Sequence, residues 1–238
     1  MNIAKRITSY YYEFRYRLLL AWWQHFNANS RFLCDVLMFH HVTDKPVDAI
    51  SSCKRTKAEF RATLQKRVAN GVQFVSMDMV NELINRNSTG FYATVTFDDV
   101  PDNFLTEAYP ILKELQIPFT LFLTTSFLEK PGYINRNDLN QLLNEPLCTI
   151  GAHTLTHPML RKVDNAYQEI TDSKRILEEL TGRIIKYMAY PYGRQSSISR
   201  KVTKMAQKAG YELAFGTILV SINDISKRCK YYLPRVID

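Results

Sequence analysis

Two short segments of the chain, Thr96-Phe97-Asp98-Asp99 and His153-Thr154-Leu155-Thr156-His157, supply an Asp and two His suited to hold a divalent metal, with a carboxylate to spare. Histidines four residues apart on a helical turn share a face, so both imidazoles can reach one ion. The run Ala93–Phe97 alternates and is β-rich, so it reads as a strand with the two carboxylates just past its C-terminal end. Adjacent residues diverge there, and one carboxylate can ligate while its neighbour faces a substrate water. Three protein ligands leave a coordination position open for that water, whose pKa a metal can lower to about 7. This is the equipment of a metal-assisted hydrolase. Each segment alone has a plainer reading, since Asp-Asp after a strand often makes a turn or a helix cap, and His-x3-His recurs by chance. Their combination is stronger. Each follows an apolar run, Phe91–Phe97 or Leu147–Ala152, and a parallel α/β barrel gathers the C-terminal ends of its strands into one mouth.

A third segment, Ala189-Tyr190-Pro191-Tyr192-Gly193, follows at a suitable distance. In this order and at these separations the three motifs resemble those of the polysaccharide deacetylases, the NodB-like carbohydrate esterase family four, over about residues 33–238. The resemblance implies Asp98 as general base, Asp99, His153 and His157 as metal ligands, and the Tyr192 backbone N–H as part of an oxyanion hole. Zinc suits two imidazoles and a carboxylate, although cobalt, nickel or iron would satisfy the same ligands. The chain also departs from the family pattern. Val100-Pro101 stands where a Gly usually follows the Asp pair, Ala189 replaces the Arg that commonly orients the catalytic Asp, and Leu233-Pro234-Arg235 occupies the place of a closing Leu-x-His. These departures resemble a branch acting on exopolysaccharide or surface-glycan hexosamines, whose acid histidine comes from a Tyr-His-like motif on the first strand. Phe39-His40-His41 fits that place. Successive strand residues point to opposite faces, so only one of the two histidines is expected in the mouth, and family position favours His40. Arg235 either pairs with Asp98 in place of the missing Arg or closes the barrel through a structural salt bridge. Tyr190 and Tyr192 flank Pro191 as a sugar-stacking platform or as core tyrosines.

The elements that must position these residues alternate between short apolar strands and amphipathic helices from residue 33 onward, the pattern of a parallel α/β fold. Seven strands are expected: Leu33–Phe39, Ala93–Phe97, Phe119–Leu123, Cys148–Ala152, Tyr187–Tyr190, Leu213–Thr217 and Tyr232–Ile237, with Gln73–Val75 as a minor one. Seven strands match the distorted (β/α)7 barrel that the resemblance implies, although an open doubly wound sheet would also accommodate them. Helices are expected over Thr56–Val68, stopped by Asn70-Gly71, over Met77–Ile84 behind a Ser76 cap, and between Asp164 and Gly182. Pro110 should divide the stretch Asp102–Leu115 into two short helices or kink it. Residues 42–55 and 126–137 read as loops overhanging the mouth.

At 238 residues with 46% hydrophobic composition, the chain can bury one good-sized core, so one catalytic domain is expected over residues 33–238. Cys34, Cys53, Cys148 and Cys229 lack CxxC spacing and read as reduced thiols, favouring a reducing, cytoplasmic compartment. Residues 1–32 carry five basic side chains against one acidic, a net +4 that is half of the chain's +8, and are rich in Tyr and Trp. Arg15 and Arg17 interrupt any secretory apolar core, and the segment is too short of apolar residues to span a bilayer. It reads either as a helix lying in an anionic membrane interface on the inner face or as a helix packed against the barrel. Nucleic acid is a poorer partner, because no helix-turn-helix, zinc-finger or RNA-binding motif accompanies the charge.

The expected activity is therefore removal of N-acetyl groups from N-acetylhexosamine units of a polysaccharide or lipid-linked glycan, with His40 protonating the leaving amine. An O-acetyl esterase and a peptidoglycan- or chitin-type deacetylase are rivals within enzymology. A catalytically silent glycan-binding protein is a rival of another class, which retention of Asp98 opposes, since a binder needs no base.

Overall fold

The computed structural model describes residues 18, 21, 25, 30–45 and 54–237. The interfacial or packed helix expected over the basic N-terminal segment lies outside the described residues, apart from isolated positions, as do Cys53 and most of the loop at 42–55. Among the described residues no helix is long and apolar enough to cross a membrane.

The chain runs through β1 (Phe32–Phe39), β2 (His41–Val42), β3 (Lys54–Arg55), α1 (Lys57–Ala69), β4 (Gln73–Phe74), α2 (Met77–Asn85) and β5 (Gly90–Asp98). It continues with α3 (Phe104–Glu107), α4 (Tyr109–Glu114), β6 (Phe119–Leu123), α5 (Arg136–Leu143), β7 (Cys148–Ala152) and α6 (Ala166–Thr181). The last elements are β8 (Tyr187–Ala189), α7 (Arg200–Lys208), β9 (Leu213–Phe215) and β10 (Ile222–Asn223). The main sheet has the order β10-β1-β5-β6-β7-β8-β9, with β4 also paired to β5. All of its pairings are parallel except β1 with β10.

The expected strand Tyr232–Ile237 does not form as a continuous strand. Two isolated parallel bridges, Phe215 to Leu233 and Leu37 to Val236, take its place, so this segment spans the gap between β9 and β1 and curls the sheet into a distorted barrel. Pro234 lies between the bridges and has no N–H to extend the ladder, which explains the interruption. The barrel is the (β/α)7 type that the sequence led one to expect.

The helices follow their local signals. Thr56 and Glu59 form a reciprocal capping box at the start of α1, and the Ser76 hydroxyl accepts from Met79 N–H at the start of α2. The stretch 102–115 divides at Ala108 into α3 and α4, with Pro110 in the first turn of α4, where its missing N–H costs no helical bond. Gly182, with φ 65°, closes α6 in the left-handed conformation that a residue without Cβ adopts at little cost. The α6 N-cap position is Asn165, one residue beyond the expected Asp164, and its side chain makes no capping bond. Two apolar clusters fill the body. One lies between the sheet and helices α1 and α3 to α7, through Phe39, Phe60, Phe97 and Leu177; the other, around Phe32, Phe122 and Phe215, reaches α2 through Met77 and Val80. Cys34 and Cys148 are buried free thiols, which burial pushes well above their ordinary pKa, whereas Cys229 is free and exposed.

Candidate active site and metal centre

The C-terminal ends of the parallel strands meet at one cavity of about 480 Å3. Asp98, Asp99, His40, His41, His153, His157, Tyr192 and Arg235 all line it. Sequence segments from four strand ends and the closing C-terminal segment therefore converge, as parallel barrel architecture requires.

Asp98 is the last residue of β5 rather than the first residue beyond it, and its register partner is Phe122. Its side chain is buried and clamped by Arg235, whose Nη1 and Nη2 donate to Oδ1 and Oδ2 at 2.7 Å each. Arg235 is fully buried, and its Nε donates to the Gly216 carbonyl at 3.1 Å. Both sequence alternatives for Arg235 are thus realised in one side chain. It pairs with Asp98, and it ties the barrel-closing segment to β5. Burial would raise the Asp98 carboxyl, but the guanidinium of Arg235, with His153 and His40 nearby, draws it well below the usual carboxylate range.

Asp99 turns away from this pair. Its φ of 61° and the 44° of Val100 place two consecutive residues in the left-handed region, where a β-branched residue such as Val is a steric outlier. The Val100 N–H donates to the Asp98 carbonyl at 2.7 Å, and the Val100 side chain is wholly buried in the apolar cluster. The turn that a Gly would form freely is built here by burying the isopropyl group. Thr124, just past β6, donates its hydroxyl to Asp99 Oδ1 at 2.7 Å and orients that carboxylate.

The His153–His157 segment is not a helical turn. It is a loop leaving β7, with φ of 69° at Thr154 and 63° at His157, and the two rings come within 4.9 Å of each other edge to face. Local helical hydrogen bonds are replaced by contacts distant in sequence. Glu169, buried on α6, accepts from Thr156 N–H at 2.8 Å and from its hydroxyl at 2.7 Å, while the Glu169 carbonyl accepts from Leu155 N–H at 3.1 Å. Thr125 N–H reaches the Thr154 carbonyl at 3.1 Å. His153 Nδ1 donates to the Ala189 carbonyl at 2.8 Å, which leaves Nε2 as the ring's ligand atom.

One ligand atom from each of Asp99, His153 and His157 lies within 4.8 Å of the others. A carboxylate and two imidazoles, each with an outer partner or a fixed loop behind it, fit a divalent transition metal with an open coordination position. Asp98 Oδ2 is 3.8 Å from His153 Nε2, so the clamped carboxylate stands beside the triad without replacing a member of it.

His40 Nε2 lies 4.0 Å from Asp98 Oδ2. Its Nδ1 is buried without a partner among the described residues, and burial lowers its pKa despite the raising influence of Asp98 and Asp99. His41 also lines the cavity, contrary to the expectation that only one of the pair could. His40 is a bend between β1 and β2, so strand alternation does not carry through it. Tyr190 is fully buried and donates its hydroxyl to the Tyr231 carbonyl at 2.9 Å, which makes it a core residue. Tyr192 is 51% exposed, has φ 61°, and sets its ring edge to face against His157 at 4.9 Å. Gly193 follows with φ 58°, and a Cβ there would lie 2.7 Å from the Thr217 backbone nitrogen, so only glycine fits this turn. Five of the eight non-glycine residues with positive φ among the described residues belong to this mouth: Asp99, Val100, Thr154, His157 and Tyr192. Such strain persists where surrounding contacts enforce it, and it clusters at functional sites.

Motif reading missed Thr124 and Glu169, which hold Asp99 and the histidine loop in place. Thr124 follows an all-buried strand directly, a position that a barrel assigns to the mouth. Glu169 falls on the buried stripe of α6 with Ala166, Ile170, Ser173 and Leu177, where an acid breaks the apolar pattern.

A polysaccharide deacetylase family model matches residues 85–214. The poly-beta-1,6-N-acetyl-D-glucosamine N-deacetylase of Staphylococcus aureus is 27% identical over 161 residues, covering 60% of this chain and 53% of its own length. The chain spans about half to two thirds of the length of the curated relatives it matches. Among solved structures, a polysaccharide deacetylase from Bacillus cereus superposes with a TM-score of 0.75 at 23% identity, covering 86% of this chain and 64% of that one. IcaB from Ammonifex degensii superposes with a TM-score of 0.72 at 21% identity, covering 87% and 92%. The folds agree, and the family model spans both the Asp pair and the histidine loop: the chain belongs to the polysaccharide deacetylase family.

Proposed function

We propose that the protein is a metal-dependent carbohydrate N-deacetylase that converts N-acetylhexosamine units of a glycan into free amino sugars and acetate. The observation that carries this reading is the meeting, in one cavity, of the Asp99–His153–His157 triad with a separately clamped carboxylate, Asp98. Asp99, His153 and His157 would hold zinc or a similar ion, which when bound supplies Lewis-acid polarisation and a more acidic water. Arg235 keeps Asp98 ionised and fixed in orientation, ready to accept a proton from the attacking water. The acetamide carbon gains the water oxygen and loses the sugar nitrogen, and the proton ends on that nitrogen. His40 is the donor. Its lowered pKa leaves the resting ring neutral at neutral pH, so it gains its proton during turnover, and Asp98 is the adjacent source. The Tyr192 N–H, which has no acceptor among the described residues, is the donor to the carbonyl oxygen as negative charge develops on it. The exposed Tyr192 ring offers a face for the sugar.

The name of the staphylococcal relative supports N-acetylglucosamine as the sugar. Acetate release from a panel of N- and O-acetylated oligosaccharides tests the reading. Release from N-acetylglucosamine oligomers with equal appearance of free amine is expected, and release confined to O-acetyl sugars, or none at all, overturns it. We also propose that the basic aromatic segment 1–32 attaches the protein to an anionic membrane on the cytoplasmic face. Flotation with anionic liposomes should weaken with salt, and equal recovery of a chain starting near Arg31 contradicts the attachment.

A further inference from the structure

A second cavity, of about 1050 Å3, lies on the other side of the segment 194–199 from the catalytic mouth. We propose that it binds a phosphate group carried by the glycan substrate; for the identity of the sugar this rests on the deacetylase reading above.

Its charge is one-sided. Arg161, Arg200, Lys204, Arg228 and Lys230 line it, and no Asp or Glu does. These cations come from three separate stretches: the single turn Leu160–Lys162, the first turns of α7, and the turn Ser226–Arg228 with Lys230 just after it. Among the described residues Arg200, Lys204 and Arg228 have no carboxylate partner. Like charges gathered around a concave surface focus a positive potential and raise the local concentration of anions. The planar guanidinium fork matches phosphate oxygens, and three elements each contribute an arginine. The N-terminus of α7, capped by Ser199, opens on the same cavity and adds its partial positive charge.

The two cavities share a wall. Arg194, Ser196 and Ser197 line the catalytic side of one short segment, while Gln195, Ile198 and Ser199 line the basic side. Tyr232, also in the basic cavity, hydrogen-bonds the Gly193 carbonyl at 3.3 Å, next to the turn that presents Tyr192. A glycan with its acetamide beside Asp98 can therefore extend over this wall. Pockets of roughly 300–1,000 Å3 take drug-sized ligands, so the volume suits a sugar phosphate. A diphosphate-linked lipid carrier and a phosphodiester within a polymer would present the same oxyanion.

The test compares three tri-N-acetylglucosamine substrates with the full-length, metal-loaded protein. One is neutral, one carries a reducing-end diphosphate ester of a short isoprenoid, and one is joined to a further sugar by a phosphodiester. At least one phosphorylated substrate should show a KM about 10-fold or more below that of the neutral trimer, as expected for several charge-assisted contacts. Which one does so identifies the source of the phosphate. The preference should disappear in about 0.5 M salt, where screening is nearly complete. In the triple variant Arg200→Gln, Lys204→Gln, Arg228→Gln the ratio of kcat/KM between phosphorylated and neutral substrates should fall to about one. Equal KM values for all three substrates in the wild type, or a ratio unmoved by the triple substitution, would overturn the proposal. Calorimetric binding separates this failure from failure of the deacetylase reading. A wild type that releases no acetate yet binds a phosphorylated trimer more tightly than the neutral one, with the triple variant losing that difference, upholds the phosphate site and rejects the activity.

Discussion

The bodies of the strands and their C-terminal ends are built on opposite terms. Within β1, β5, β6 and β7 the backbone is regular, the pairings are parallel and in register, and apart from Asp35 and the terminal Asp98 the side chains are uncharged and mostly apolar or Thr. One to three residues beyond the strand ends, the chain enters left-handed turns at Asp99, Thr154 and Tyr192, and charged groups are buried. The strand bodies gain their stability from burial close in register. The mouth is held by side-chain contacts between separate segments of the chain, Arg235 to Asp98 above all, 137 residues apart. A fold can thus keep a reactive constellation in place by letting a cooperative sheet impose what local preference would refuse.

The largest effect expected at the mouth is loss of the metal. Asp99→Ala, His153→Ala and His157→Ala should each lower metal affinity by more than the ~10–100-fold typical of outer partners. Elemental analysis that found about one ion per chain in all three variants would contradict the ligand set. Thr124→Ala, which removes the hydrogen bond to Asp99, and Glu169→Ala, which frees the loop between the two histidines, should fall within that ~10–100-fold range instead, so the contrast itself is measurable by competition with a chelator.

Removing the proposed proton donor comes next. His40→Ala should retain metal and fold but lose on the order of 10²–10⁴ in turnover, with His41→Ala milder. If His41→Ala were the crippling change, the two roles would be exchanged.

Arg235→Ala should destabilise the fold by about 3–5 kcal/mol, because it leaves the Asp98 carboxylate buried and unpaired. The pH dependence follows from the same pair. The folded pKa of Asp98 is depressed, so its stabilising contribution is present above the unfolded carboxylate pKa of about 3.9 and is lost as pH falls toward the folded value. Thermal melts between pH 7 and pH 3 should show the wild type beginning to lose this increment below about pH 4, while Arg235→Gln loses less. Parallel pH profiles would mean the pair contributes no such linkage.

The sharpest local contrast predicts the smallest effect. Val100→Gly relieves roughly 1–3 kcal/mol of left-handed strain but removes a buried side chain worth roughly 1.5–3 kcal/mol. The two nearly cancel, so the melting temperature should move by only a few degrees. A large drop would show that the buried isopropyl group, rather than the turn, governs this corner.

The same division explains what the sequence disclosed. Strand bodies and caps were legible because their causes are local: alternation in Ala93–Phe97, Ser76 before a helix, Pro110 opening α4. The Asp pair and the histidine segment located the mouth for a related reason, since each follows a hydrophobic run. The form of the histidine loop was not legible, because Glu169, twelve or more residues away, and the Ala189 carbonyl shape it. The last segment failed as a strand for want of local pairing; its two bridges depend on β1 and β9 already being in place. Position 235 could be read as a barrel-closing arginine or as a partner of Asp98, and only the closed barrel shows that one side chain does both.

Acetate release from N-acetylglucosamine oligomers, measured before and after chelation and again after zinc is restored, with Asp98→Asn alongside, tests the central claim most directly. The wild type is expected to lose release on chelation and to regain it with zinc, while Asp98→Asn binds the metal yet stays at least about 10²-fold slower throughout. Release that survives chelation, or an Asp98→Asn variant near wild-type rate, would contradict the account.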